Sequence, residues 1–157
     1  MNDARFEDAE DRPLVLRAET PEDIAVLSAL LQDAVLPSSE ISWVPRKLQF
    51  AALINRFRWE DKVAAEKAKR PYERAQATLV FQGVLKVLAQ GVTPGDTDSI
   101  LSILSLSFEP EADGAGRLTL VLAGDGALAL EVECIDVVLR DVTRPYQAPS
   151  GQAPSHP

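Results

Sequence analysis

The spacing of apolar positions changes several times along this 157-residue chain, and each change marks a predicted element. Residues 13–18 (Pro-Leu-Val-Leu-Arg-Ala) read as a short strand. Thr20-Pro21-Glu22-Asp23 then supplies three agreeing helix-start signals: a capping hydroxyl, proline at the first helical position and an acid placed for a capping box. Ile24, Leu27, Leu30, Leu31, Ala34 and Val35 follow at helical spacing, which predicts an amphipathic helix over residues 21–34.

Beyond this helix the period falls to two. Residues 41–45 predict a short strand ending at proline. Between Phe50 and Trp59 the alternation puts Leu53, Phe57 and Trp59 on one face with Arg56 and Arg58 on the other, as for a strand that begins buried and emerges into solvent. A long β run over residues 77–92 contains Gly83, where a bulge or bend would let one strand serve two parts of a sheet. Pro94-Gly95-Asp96 marks a turn. Over residues 100–108, Leu104, Leu106 and Phe108 are expected inward, with Ser105, Ser107 and Glu109 outward.

The cleanest local pattern is a hairpin. Leu118, Leu120 and Leu122 alternate with Thr119 and Val121, and Leu128, Leu130 and Val132 alternate with Glu131 and Glu133, across Gly124-Asp125-Gly126. Pairing about Asp125 sets Leu122 opposite Leu128, Leu120 opposite Leu130 and Leu118 opposite Val132. After Cys134 the parity flips to Ile135, Val137 and Leu139, which predicts a bulge near residues 134–135.

These elements give an α+β fold of about seven mainly antiparallel strands, a curled sheet or barrel-like sandwich carrying one N-terminal amphipathic helix. Regular strand–helix alternation is missing, which disfavours a doubly wound sheet. The expected organisation is a disordered acidic segment over 1–12, one globular domain over 13–142 and a Pro/Ser-rich tail over 143–157 too poor in apolar residues to fold. Within the domain, residues 60–74 form a charged connection, either helical or mobile.

Net charge is −8, unevenly distributed. Residues 1–43 sum to −7, residues 44–74 to +5 and residues 75–157 to −6. The overall excess of acids argues against nucleic acid or an anionic membrane as partner. Mainly apolar stretches are broken well before the ~20 residues of a membrane span, and the acidic start lacks the apolar core of a signal peptide. A single cysteine forms no internal disulfide, so a soluble, cytoplasmic protein is expected.

The single histidine, His156, stands in the tail, and the single cysteine, Cys134, lies among strand residues. A Ser-His-Asp or Cys-His relay needs a base held by the folded body, and zinc needs several N or S ligands, so neither is expected. No phosphate loop, dinucleotide fingerprint or nucleophile elbow occurs. Glu109-Pro-Glu111-Ala-Asp113-Gly114 imitates half a calcium loop, but its twelfth position is Leu120, so an acidic turn is expected and no metal. Glu131 and Glu133 are read as a wet sheet face, and Cys134, with acidic neighbours, as a small buried apolar residue.

Four stretches together resemble an uncharacterised family of small bacterial proteins catalogued as domain of unknown function 2948. They are Glu22-Asp23-Ile24-Ala25-Val26 through Leu31-Gln32-Asp33-Ala34-Val35; Asn55-Arg56-Phe57-Arg58-Trp59-Glu60; Ser107-Phe108-Glu109; and Ala123-Gly124-Asp125-Gly126 through Glu131-Val132-Glu133-Cys134-Ile135. The resemblance spans about residues 14–142. It implies a small, soluble, single-domain bacterial protein and brings no activity, cofactor or site residue with it.

Candidate chemistry therefore centres on Asn55, Arg56, Arg58 and Trp59. Two guanidinium groups beside aromatic rings suit a phosphate, a carboxylate or an acidic partner, unless they are consumed by the protein's own acids across the sheet. The leading expectation is a non-enzymatic, cofactor-free interaction module whose protein partner engages this face or an uncovered strand edge. The alternative is a barrel-like ligand carrier or enzyme in which Asn55, Arg56 and Arg58 orient a small anionic molecule. A structural role, with the Leu118–Val132 hairpin offering an edge for self-pairing, is a third expectation.

Overall fold

The structure, a computed structural model, describes residues 13–92, 99–143, 146–147 and 153–154. β1 (Val15–Ala18) leads directly into α1 (Pro21–Leu31). The capping box forms as predicted: Asp23 N–H donates to Thr20 Oγ1 and Thr20 N–H donates back to Asp23 Oδ2, both at 3.2 Å. Ile24, Leu27 and Leu31 turn inward. Next come β2 (Val35–Pro37), β3 (Ile41–Val44) and β4 (Gln49–Phe57). A 3-10 turn at Trp59–Asp61 enters α2 (Lys62–Ala68), so the charged connection carries a short helix. The remaining strands are β5 (Glu73–Gln82), β6 (Val84–Gln90), β7 (Ile100–Pro110), β8 (Gly116–Leu122), β9 (Gly126–Val132), β10 (Val137–Asp141) and β11 (Tyr146–Gln147).

All pairing is antiparallel, in the order β1-β10-β5-β4-β2-β7-β8-β9-β6, with β3 added beside β4 and β11 beside β5. The sheet is open, ending at β1 and β6. It nevertheless folds back on itself, for a topological reason. β5, in the middle of the first half, runs through Gly83 directly into β6, the far edge of the second half. Gly83 makes this corner at φ +73°, a region open to glycine and costly for other residues. The predicted bend that shares one run between two parts of a sheet is therefore present. Between the halves lies one apolar cluster, with Phe50, Leu79, Phe81 and Leu139 from the first half and Leu118, Leu120, Leu130 and Val132 from the second. α1 covers this core, touching β1, β4 and β7.

Among the described residues eleven strands form where about seven were expected. β2 and β11, at three and two residues, are too short for a period to show, and β11 rises from the tail read as unfolded. The 1–12 segment, the Pro94–Asp96 turn and His156 lie outside the described residues. β8 and β9 form the predicted hairpin, but with Leu122 opposite Gly126, Leu120 opposite Leu128 and Leu118 opposite Leu130. The register differs by two residues and the leucines stay on the core side, because side chains alternate with period two.

In β7 a register shift between Ile103 and Ser105 buries Ile103 and turns Leu104 outward, against the expected inward Leu104. The parity change after Cys134 is no bulge: it is the crossing from β9 in one half to β10 in the other. Cys134 stands exposed at that crossing, which corrects the reading of a buried thiol. Arg56 shares the core face of β4 with Phe50, Ala52 and Ile54, whereas Leu53 and Asn55 face out, the reverse of the expected assignment.

Candidate functional site

Arg56 sits on the core face of β4 opposite Ala75 of β5, and it is 0% exposed. β10 lies on the other side of β5, with Asp141 opposite Ala77. The two alanines leave open space above β5, and the Arg56 side chain crosses it to reach Asp141. Arg56 Nε donates to Asp141 Oδ1 and Nη2 to Asp141 Oδ2, both at 2.9 Å. The outer side of the same guanidinium donates to Glu60, Nη1 at 2.9 Å and Nη2 at 2.7 Å. Asp141 also accepts the Leu14 N–H at 3.0 Å. Burial alone would weaken the Arg56 cation, but hydrogen bonds and charge from Glu60 and Asp141 outweigh it and hold its pKa above the ordinary arginine value.

The ionic cluster continues toward α2. Arg58, nearly buried, donates to Glu73 Oε1 at 2.6 Å and lies 3.8 Å from Asp61. Arg70 grips Asp61 through a two-pronged fork at 2.6 and 2.5 Å. Burial would raise the Asp61 carboxyl, yet Arg70, reinforced by Arg58, holds it below its ordinary value. Glu73 goes the other way: burial pushes it up, Asp61 adds to the rise, and Arg58 opposes it. Three guanidinium groups are thus set among four carboxylates, those of Glu60, Asp61, Glu73 and Asp141. Charges sequestered this way order the meeting of β1, β4, β5, β10 and α2.

The other two predicted residues take separate places. Trp59 Nε1–H donates to the Gln32 carbonyl at the end of α1 at 2.8 Å, and its ring packs edge-on against Phe57, 4.6 Å between centroids. Asn55 faces the opposite side of β4, accepts from Arg74 Nε at 2.5 Å, and lines an open cleft of about 270 Å³ with Val35, Leu53, Gln76, Glu40 and Ile100. Asn55 therefore does not converge with Arg56 and Arg58. Glu40 is the ionisable residue lining this cleft, and Arg74 stands on its Asn55 wall.

The feature that periodicity did not reveal is β6. It ends the sheet, hydrogen-bonded to β9 alone among the strands. Its neighbours β8 and β9 alternate regularly between buried and half-buried, but β6 past Val84 is mostly exposed, with Leu85 53% and Leu88 38% exposed and only Val87 half-buried against the core. Val84 N–H donates to Leu48 O at 2.8 Å, so the turn before β4 closes the start of this edge. From Leu85 to Gln90 no described strand pairs with its free side. Beside it, Leu88, Gln90, Arg117, Ala127 and Ala129 line a shallow depression of about 210 Å³. The one sign in the sequence was its short run of apolar residues lacking strict alternation, Val84-Leu85-Lys86-Val87-Leu88. The β8–β9 hairpin, expected to offer an edge, is flanked by β7 and β6 and offers none.

Among the described residues no helix is long and apolar enough to cross a membrane. No curated protein and no solved structure matches the chain. A family does match, over residues 14–156. That span takes in the ionic cluster and β6 alike, and the chain belongs to the family described as Protein of unknown function (DUF2948).

Proposed function

We propose that this protein is a non-enzymatic interaction module that binds an extended segment of a protein partner by adding it as a strand to β6. The observation that carries this reading is the open edge from Leu85 to Gln90 with apolar side chains exposed on it. A strand edge presents a row of backbone donors and acceptors, and folded proteins ordinarily blunt such edges with charge, proline, bulges or a covering element. β6 has one lysine and one early register shift, and four apolar residues follow its start. Strand addition would satisfy the backbone groups and cover Leu85 and Leu88 at the same time. Support also comes from the arginines: Arg56 and Arg58 are held by carboxylates, which leaves the edge as the better surface for a partner.

The test compares the wild-type chain, a Leu85→Asp/Leu88→Lys variant and a Val26→Lys control, the last altered on the exposed side of α1, as baits in cells of the source organism. Any protein recovered is then purified and mixed with each bait. The expected result is binding to wild type and control, loss with the β6 variant, and slowed amide exchange confined to residues 84–90. Equal binding by all three, or protection elsewhere, rejects strand addition.

A further inference from the structure

The surroundings of β6 specify the chemistry of the strand it would take, and this step rests on the strand-addition reading. Arg46 and Lys47 lie in the 3-10 turn Pro45–Lys47, which packs against β6, and both are exposed. Leu48 of the same segment makes the bond to Val84 that closes the start of the edge, which sets these two cations next to Leu85 and Lys86. Lys86 is exposed as well. No hydrogen-bond or ion-pair partner occurs for Arg46, Lys47 or Lys86 among the described residues.

The acids shown nearby leave this group with an excess of positive charge. Glu131, opposite Lys86 on β9, is held by Arg117 Nη2 at 2.5 Å. Glu133, exposed beside Gly83 at the same end, sets one negative charge against these three cations. The opposite end of β6 has another character: Gly91 approaches the backbone of Asp125, an exposed acid in the β8–β9 turn. The edge is therefore polarised, cationic where it begins and anionic where it ends, in a chain whose net charge is −8. A cationic cluster retained at an open edge, while four other arginines of residues 44–74 (Arg56, Arg58, Arg70 and Arg74) turn to internal partners, selects a partner by charge.

We propose that the Leu85–Gln90 edge takes an extended, partly apolar protein segment whose acidic side chains meet Lys86, Arg46 and Lys47. A segment of about six residues fits the open length, since strands pair residue for residue at ~3.3 Å each.

A display library of random ten-residue peptides, selected on the full-length chain, tests this. The expected winners combine alternate apolar residues with two or more Asp or Glu. As synthetic peptides they should lose binding by roughly tenfold or more between 50 and 300 mM salt. They should lose a similar factor with an Arg46→Glu/Lys47→Glu/Lys86→Glu chain, and a smaller one with the corresponding glutamine variant, both shown to be folded by circular dichroism.

Winners without acidic bias that still fail on Leu85→Asp/Leu88→Lys would overturn the acidic partner and leave strand addition standing. Winners indifferent to both sets of substitutions, or no enrichment at all, would overturn both. A wild-type dimer by light scattering that Leu85→Asp/Leu88→Lys dissolves would place a second copy on the edge and overturn the acidic segment.

Discussion

Arg56 and Asp141, 85 residues apart in the chain, meet through two hydrogen bonds of 2.9 Å above the small side chains of β5. Since Asp141 also accepts from Leu14, the pair binds β4 to β10 and to the segment entering β1. Taking both charges out of water costs several kcal/mol each, which the geometry and the second carboxylate, Glu60, offset. Such an arrangement tolerates removal of both partners better than removal of one.

Arg56→Met should therefore destabilise the fold by about 3–5 kcal/mol, because Asp141 is left buried without its cation. Asp141→Asn, which keeps a hydrogen-bonding oxygen, should cost less. Urea unfolding of the two variants and of an Arg56→Met/Asp141→Leu pair measures this; the pair should be more stable than Arg56→Met alone.

Acid stability depends on the two carboxyls beside Arg58. Asp61 is held below its ordinary value of 3.8, so its contribution is complete above that value and is lost as the pH falls through the lower folded value. Glu73 is raised above 4.5, so its penalty exists at neutral pH and disappears on acidification. The two effects oppose one another. Asp61→Asn should flatten the fall in stability between about pH 4 and pH 2, and Glu73→Gln should leave that fall in place, as urea midpoints across the range would show.

Two glycines separate conformational strain from collision. Gly83→Ala meets nothing closer than 3.6 Å, so its cost is that of the left-handed backbone, about 1–2 kcal/mol. In Gly116→Ala the new Cβ would lie 2.5 Å from the Glu109 carbonyl oxygen and equally close to the Phe108 ring. A backbone obstacle cannot step aside, so this change should cost at least as much as Gly83→Ala and widen the strand spacing between β7 and β8, seen as faster amide exchange there.

Leu85→Asp/Leu88→Lys should cost no more than about 1 kcal/mol, because Leu85 is 53% and Leu88 38% exposed and neither belongs to the buried core. Thermal unfolding checks this, and a larger loss would mean that β6 is held by contacts other than those described.

What the sequence disclosed and what it hid have physical causes. The α1 cap, the Gly83 corner and the leucine faces of β8 and β9 rest on local chemistry or on period two, and each was legible. The hairpin register slipped by two residues without changing any face, since alternation is blind to even shifts. Arg56 was misplaced because an arginine at an alternating position reads as solvent-facing. Its burial depends on Asp141 and on Ala75 and Ala77, all set by long-range pairing that no window of residues contains. Cys134 was misread for a related reason, as the break after Val132 is a crossing between distant strands. The open side of β6 is a property of strand order, and the run Val84–Leu88, apolar but for Lys86 and without strict alternation, is its one local trace.

The passage of one backbone run through Gly83 means that neither half of this protein is a separable piece. Cleaving the chain there, or transplanting the Gly116–Val132 hairpin with its neighbours, would remove an outer strand from one layer and a central one from the other. Melting should accordingly be a single all-or-none event, and a fragment ending at Gln82 should fail to hold its shape.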